Sequence, residues 1–175
     1  MNNRIVIAIG KFSIYHYGHD LVINRLKMVS KNLNAIPHLV IIDPIKLTKD
    51  KPLTGKEKLS FIQEVYPNLP IEISKNAYTT LEMYKKQNFN LIGIVTGEDR
   101  IQSYTGLVNR FYKNPNIRII GIPRNENDEI GKISSSKIRK AILDNNYELF
   151  KSYAISNSYD NFNFLKARIS SLENG

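Results

Sequence analysis

Two stretches of this sequence carry residue types that bind anions. The first is Gly10-Lys11-Phe12-Ser13-Ile14-Tyr15-His16-Tyr17-Gly18-His19. It follows an apolar β-branched run and precedes a helical pattern. A helix start offers free N–H groups and the positive end of the helix dipole, so it favours phosphate. Gly18 would let an anion approach the backbone, and the imidazoles of His16 and His19 could donate hydrogen bonds to its oxygens. The second is Ile133-Ser134-Ser135-Ser136-Lys137-Ile138-Arg139. Three hydroxyls open a helical pattern and two cations follow on its first turns. By itself this reads equally as a serine N-cap with surface cations. Paired with the histidine stretch, it reads as a second phosphate clamp.

A third candidate is Thr96-Gly97-Glu98-Asp99-Arg100, at the end of another apolar run. Gly97 permits close approach, and Asp99 could accept hydrogen bonds from a ribose or an amine. A plain helix start with favourable acids explains it equally well. His38, at the mouth of an apolar run, is expected to be structural. Lys51, Lys56 and Lys58 surround a capping-box spacing, Thr54 and Glu57, and are expected to be solvated.

Positioning these residues takes strands and helices in alternation. Arg4–Gly10, His38–Asp43, Ile71–Ile73, Leu91–Thr96 and Ile117–Ile122 read as strands. Helical patterns fall at Gly18–Asn32, with Val22, Leu26 and Val29 on one face, then at Thr54–Tyr66, Ala77–Gln87 and Glu98–Tyr112. Pro123–Lys132 reads as a polar, mobile loop. From Ser134 almost to the end the pattern is helical, with a break near Asn157. Short strands alternating with helices imply right-handed crossovers and a parallel sheet covered on both faces. The expected fold is α/β, a single Rossmann-like domain over residues 1–175. It has about five parallel strands, strand order reversing beside the first, and a helical C-terminal extension over about 140–175. In such sheets ligands sit beyond the carboxyl ends of the strands, where the first and third stretches fall.

The chain has 175 residues, enough for one domain with a real core. With no cysteine, it has no disulfides, zinc–thiolate sites, iron–sulfur clusters or cysteine nucleophiles. That, and the lack of any apolar run long enough for a signal peptide or a membrane span, gives the expectation of a cytoplasmic protein with no membrane partner. The net charge of +9 suits an anionic partner. The cations are scattered and no aromatic stripe accompanies them, so nucleic acid is not the expected partner. There is no GxGxxG, no P-loop, no GxSxG elbow and no HExxH.

The HxGH stretch after the first strand, together with the ISSSxxR segment before a late helix, resembles the nucleotidylyltransferase superfamily over about residues 4–150. Lys11-Phe12 through His19 is similar to the GRFxPxHxGH signature of archaeal-type nicotinamide mononucleotide adenylyltransferases, with Lys11 in place of arginine and Ile14 in place of proline. Pro52-Leu53-Thr54, Glu57-Lys58-Leu59, Gly97 to Arg100, Lys137-Ile138-Arg139 and Phe150 resemble nucleotidyltransferases often encoded by bacteriophages. The resemblance implies an enzyme that joins ATP, or CTP, to a small phosphate acceptor such as nicotinamide mononucleotide, releasing pyrophosphate. A cytidylyltransferase, another small-phosphate adenylyltransferase of the phosphopantetheine type and a retired nucleotide-binding or virion-associated protein are the alternatives. It further implies His16 and His19 as catalytic contacts to the triphosphate, Gly10, Lys11 and Phe12 around the α-phosphate, and Gly18 as a further nucleotide-binding residue. Gly97 and Asp99 fall near the nucleoside. Ser134, Ser135, Ser136 and Arg139 hold the outer phosphates, Ile133 is a further nucleotide-binding residue, and Arg124 and Lys137 are candidate phosphate or second-substrate contacts. Mg²⁺ arrives with the nucleotide rather than in a protein metal site, and a homo-oligomer is within the family's habit.

Overall fold

The computed structural model describes residues 3–113, 116–123 and 133–173. Five strands form one parallel sheet: β1 (Arg4–Gly10), β2 (Ile36–Ile42), β3 (Ile71–Ser74), β4 (Asn90–Gly97) and β5 (Arg118–Ile122), in the order β3-β2-β1-β4-β5. The order reverses at β1, as the sequence pattern predicts. Successive side chains of a strand face opposite sides. Val6 and Ala8 of β1 therefore pack with Ile23, Leu26 and Val29 of helix α1 (Tyr17–Asn32) and Ile62 of α2 (Gly55–Gln63). Ile5 and Ile7 pack with Leu81 and Tyr84 of α3 (Ala77–Lys86) and with Tyr104 and Val108 of α4 (Ile101–Phe111). The apolar stripe of α1 centres on Ile23, with Val22 partly buried beside it.

Several boundaries differ from those the sequence suggests. Strand β2 starts two residues early and takes in Pro37, which lacks a ladder donor but is tolerated near a strand's first residue. Residues Glu98–Arg100 form a 3₁₀ turn ahead of α4. The C-terminal pattern breaks twice, giving α5 (Ser135–Leu143), α6 (Tyr147–Tyr153) and α7 (Tyr159–Glu173). The extra break is a Schellman end. Asn146 N–H donates to Ala141 O at 2.8 Å and Asn145 N–H to Ile142 O at 3.1 Å, with Asn145 at φ 54°. Asparagine takes the left-handed conformation more readily than other non-glycine residues, so the helix ends there without a glycine. These three helices form a separate core with Ile14, Leu53 and Phe61. Residues 124–132, which hold most of the loop expected to be mobile and Arg124, lie outside the described residues. Among the described residues no helix is long and apolar enough to cross a membrane.

Candidate active site

A parallel α/β sheet delivers its helix starts to the carboxyl edge of the strands. Here they surround a cavity of about 520 Å³, within the size range of small-molecule sites. The β1 end contributes Gly10, Lys11, Phe12 and Ser13, and α1 contributes His19 from its first turn. The β4 end contributes Thr96, Gly97, Asp99 and Arg100, with Tyr104 from α4. Asn76 and Ala77 open α3, and Ser135 opens α5. The convergent helix N-termini and the two cations Lys11 and Arg100 make the cavity suited to an anion.

The turn after β1 is shaped by one unusual residue. Phe12 sits at φ 45° with its ring buried beneath Gly10. A Cβ on Gly10 would lie 2.7 Å from that ring, so the glycine is required by the close approach. The two histidines then part in role. His16 is the N-cap of α1: its Nδ1 accepts from Gly18 N–H at 3.1 Å, which leaves the ring proton on Nε2. It is buried and does not line the cavity, whereas His19 does. The two rings stack with centroids 3.7 Å apart. Burial lowers the His16 pKa to about 4. Burial, the adjacent His16 ring and, more weakly, the Lys58 ammonium hold His19 well below its ordinary value, against an opposing backbone hydrogen bond at Ile14. Both rings are neutral at pH 7. Gly18 packs against the His16 ring and faces Ile133 O, so the histidine turn and the serine segment do meet.

In the serine segment, Ser134 is the N-cap of α5 and accepts from Lys137 N–H at 3.4 Å, while its hydroxyl lies 2.8 Å from that of Ser136. Ser135 faces the cavity; Ser136 and Lys137 are exposed outside its lining. Arg139 is turned to Asp50, 3.0 Å away. His38 is structural as expected, its Nδ1 3.2 Å from Tyr84 Oη in the core.

Lys58 corrects the expectation of a solvated lysine. It is 2% exposed, and its ammonium donates to Ile42 O at 2.9 Å, at the end of β2 and beside the cavity. Burial brings its pKa down to about 8 against the pull of Asp43. Lys58 shares a face of α2 with Phe61 and Ile62, three and four residues on, but that its ammonium ends on Ile42 O is decided by a tertiary contact. Sequence reading also passes over Asn76, an N-cap directly after a strand and so findable by the same rule that found the histidine turn. It misses a buttress as well. Asp20 Oδ1 accepts from Tyr15 Oη at 2.8 Å and from Tyr66 Oη, tying the histidine turn to the end of α2.

No protein-family model matches the chain. It is 26% identical over 168 aligned positions to a bifunctional riboflavin kinase/FMN adenylyltransferase of Buchnera aphidicola, covering 85% of this chain and 54% of that protein. In structure it matches a nicotinic acid mononucleotide adenylyltransferase of Plasmodium falciparum at TM-score 0.59, with 19% identity, over 97% of this chain and 96% of that one. The chain resembles the nucleotidylyltransferase superfamily in sequence and in fold. A Streptococcus pneumoniae chain described as a macrolide-efflux protein shares the fold too, at TM-score 0.56 and 18% identity, over 84% of this chain and 53% of that one. The chain spans about half the length of the curated relative it matches. In this nucleotidylyltransferase-like frame the histidine motif and the serine motif lie on neighbouring walls of one cavity.

Proposed function

We propose that the chain is a nucleotidyltransferase, and first an adenylyltransferase that joins ATP to nicotinamide mononucleotide. The observation that carries this reading is the shared cavity of Gly10 to Ser13, His19, Gly97, Asp99 and Ser135 at the point where the strand order reverses. An oxygen of the acceptor phosphate attacks the α-phosphorus of ATP, a new P–O bond forms in line, and the bond to pyrophosphate breaks. Such transfer needs positioning and charge stabilisation rather than a protein nucleophile. The acceptor phosphate is ionised at neutral pH, so no general base is needed. Neutral His19 donates to an oxygen that gains charge, joined by helix N–H groups and Lys11. Gly97 and Asp99 face the nucleoside. In this reading the Lys58 ammonium, held on Ile42 O beside the cavity, adds positive charge on the β2 side without lining it. Among the described residues no three His, Asp or Glu converge on a point that could hold a metal. Mg²⁺ enters this reading on the nucleotide, where it neutralises phosphate charge.

FMN is the second acceptor, because the curated relative is named for FMN adenylylation. The test is pyrophosphate release with each nucleoside triphosphate against nicotinamide mononucleotide, nicotinic acid mononucleotide, FMN, phosphopantetheine and glycerol phosphate. Release from ATP with one acceptor is expected. Nucleotide binding without release from any pair would instead make the chain a retired binding protein. His19→Ala is expected to lower kcat about 10²–10³-fold, the loss typical of one transition-state donor, with a smaller change in nucleotide affinity.

A further inference from the structure

Arg139 is the cation that the serine motif offers to a phosphate, yet its guanidinium is already engaged. Nη2 lies 3.0 Å from Asp50 Oδ1, and Nη1 donates to Asp50 O at 3.3 Å. Ser135 and Arg139 stand four residues apart on α5 and so share a face of that helix. Ser135 lines the cavity, and Arg139 stands one turn further along α5, just outside that lining and turned to Asp50. The arginine side chain is 17% exposed and the aspartate 67%, so the carboxylate reaches in from the surface. It is held there by a tight turn. Thr48 N–H donates to Lys51 O at 3.2 Å, and Lys51 N–H donates to Thr48 O at 2.8 Å and to Thr48 Oγ1 at 3.2 Å. Among the described residues the Asp50 carboxylate has no partner but Arg139, and the turn closes through backbone and Thr48.

We propose that Asp50 is an internal competitor for the triphosphate. Its carboxylate holds Arg139, and an entering polyphosphate takes the guanidinium from it. A guanidinium pairs with carboxylate and phosphate by the same forked geometry, and a polyphosphate brings more charge, so the exchange runs toward the ligand. Asp50 thereby sets the affinity of the site, and binding releases the 48–51 turn from α5. This inference rests on the nucleotidyltransferase reading for the identity of the ligand, but not for the exchange itself.

The experiment is calorimetric titration of ATP and of inorganic tripolyphosphate into wild type, Asp50→Asn, Arg139→Gln and the double variant, with the melting temperature of each checking its fold. Asp50→Asn is expected to bind both probes about two- to fivefold more tightly, the range of one partly exposed ion pair. Arg139→Gln should bind both more weakly, and adding Asp50→Asn to it should change nothing. Unchanged or weaker binding by Asp50→Asn overturns the proposal. So does equal tightening in the Arg139→Gln background, which would mark a diffuse charge effect rather than competition for the guanidinium. If tripolyphosphate follows the expected pattern but no nucleoside triphosphate binds, the competitor stands and the nucleotidyltransferase reading falls. If neither probe binds any variant, both fall.

Discussion

Lys58 is a buried charge that costs stability and, in the proposed reading, serves the chemistry of the cavity beside it. Its ammonium gives up water for a single carbonyl, and its pKa falls to about 8. The folded state therefore prefers the neutral amine. Between about pH 8 and the ordinary lysine value the unfolded chain binds more protons, so stability rises with pH there. Activity should run the other way. With ATP and the acceptor that works, kcat/KM for the acceptor is expected to fall above about pH 8, since that ratio reports the free enzyme's ionisations. Lys58→Arg should remove the alkaline limb because a guanidinium stays charged. A pH profile that keeps the limb in that variant would assign it to another group. His16 acts at the acid end. Its folded pKa is near 4, below the value of a free histidine. The unfolded chain therefore takes up the proton first as pH falls below about 6.5, and stability is lost down to about pH 4. The loss is on the order of 3 kcal/mol. His16→Asn keeps an N-cap but has nothing to titrate. Its urea midpoint should be flatter than that of wild type over this window.

At the scale of elements, the start of α2 sets Lys58 against the carboxyl end of β2, beside the cavity. The Thr54–Glu57 capping box is complete: Glu57 N–H donates to Thr54 Oγ1 at 3.3 Å, and Thr54 N–H to Glu57 Oε2 at 2.8 Å. That much is legible in the sequence, since a capping box is a local signal. What grips it is not. Arg168 of α7 reaches Glu57 with Nη2 at 2.6 Å from Oε1 and Nη1 at 3.3 Å from Oε2, and it also donates to Pro52 O at 3.4 Å. The cap and the arginine lie more than a hundred residues apart, and no spacing rule links them. The Lys58 ammonium and the Asp50–Arg139 pair were hidden for the same reason: each is decided by tertiary contacts. The motifs of β1 and α5 could be read because strand, turn and helix start are neighbours in sequence. Thr54→Ala is expected to cost about 1 kcal/mol, the usual loss of an N-cap hydroxyl. Thr54→Ser should keep most of it. Chemical denaturation followed by far-ultraviolet dichroism measures both, and a null result for Thr54→Ala would mean that Arg168 alone fixes the helix start.

Across the whole molecule, the strand order and the two covering helix layers follow from alternation and crossover handedness, and they bring the cavity residues together. In the sequence the C-terminal helices are only an extension, because their pattern gives helices but not the surface they cover. The structure gives them that surface. Phe162, Leu165 and Ile169 of α7 close a core with Ile138, Phe150, Leu53 and Phe61, and Ile14 from the histidine turn is part of it. Ile14 stands where the resembling motif has a proline, and it supplies apolar contact instead of ring rigidity. Ile14 thus packs the turn against the α7 core, in addition to the Asp20 buttress. Leu165 is 2% exposed in this cluster and borders a small apolar void with Ile14 and Tyr15. Leu165→Ala enlarges that void and is expected to cost about 2–5 kcal/mol in a urea titration. If the histidine turn depends on this core, kcat should fall as well at a temperature where the variant is still fully folded. Leu149→Ala, on α6 but partly exposed, should leave both stability and kcat near wild type. A Leu165→Ala protein that loses stability but keeps full kcat would show that the turn holds its shape without α7.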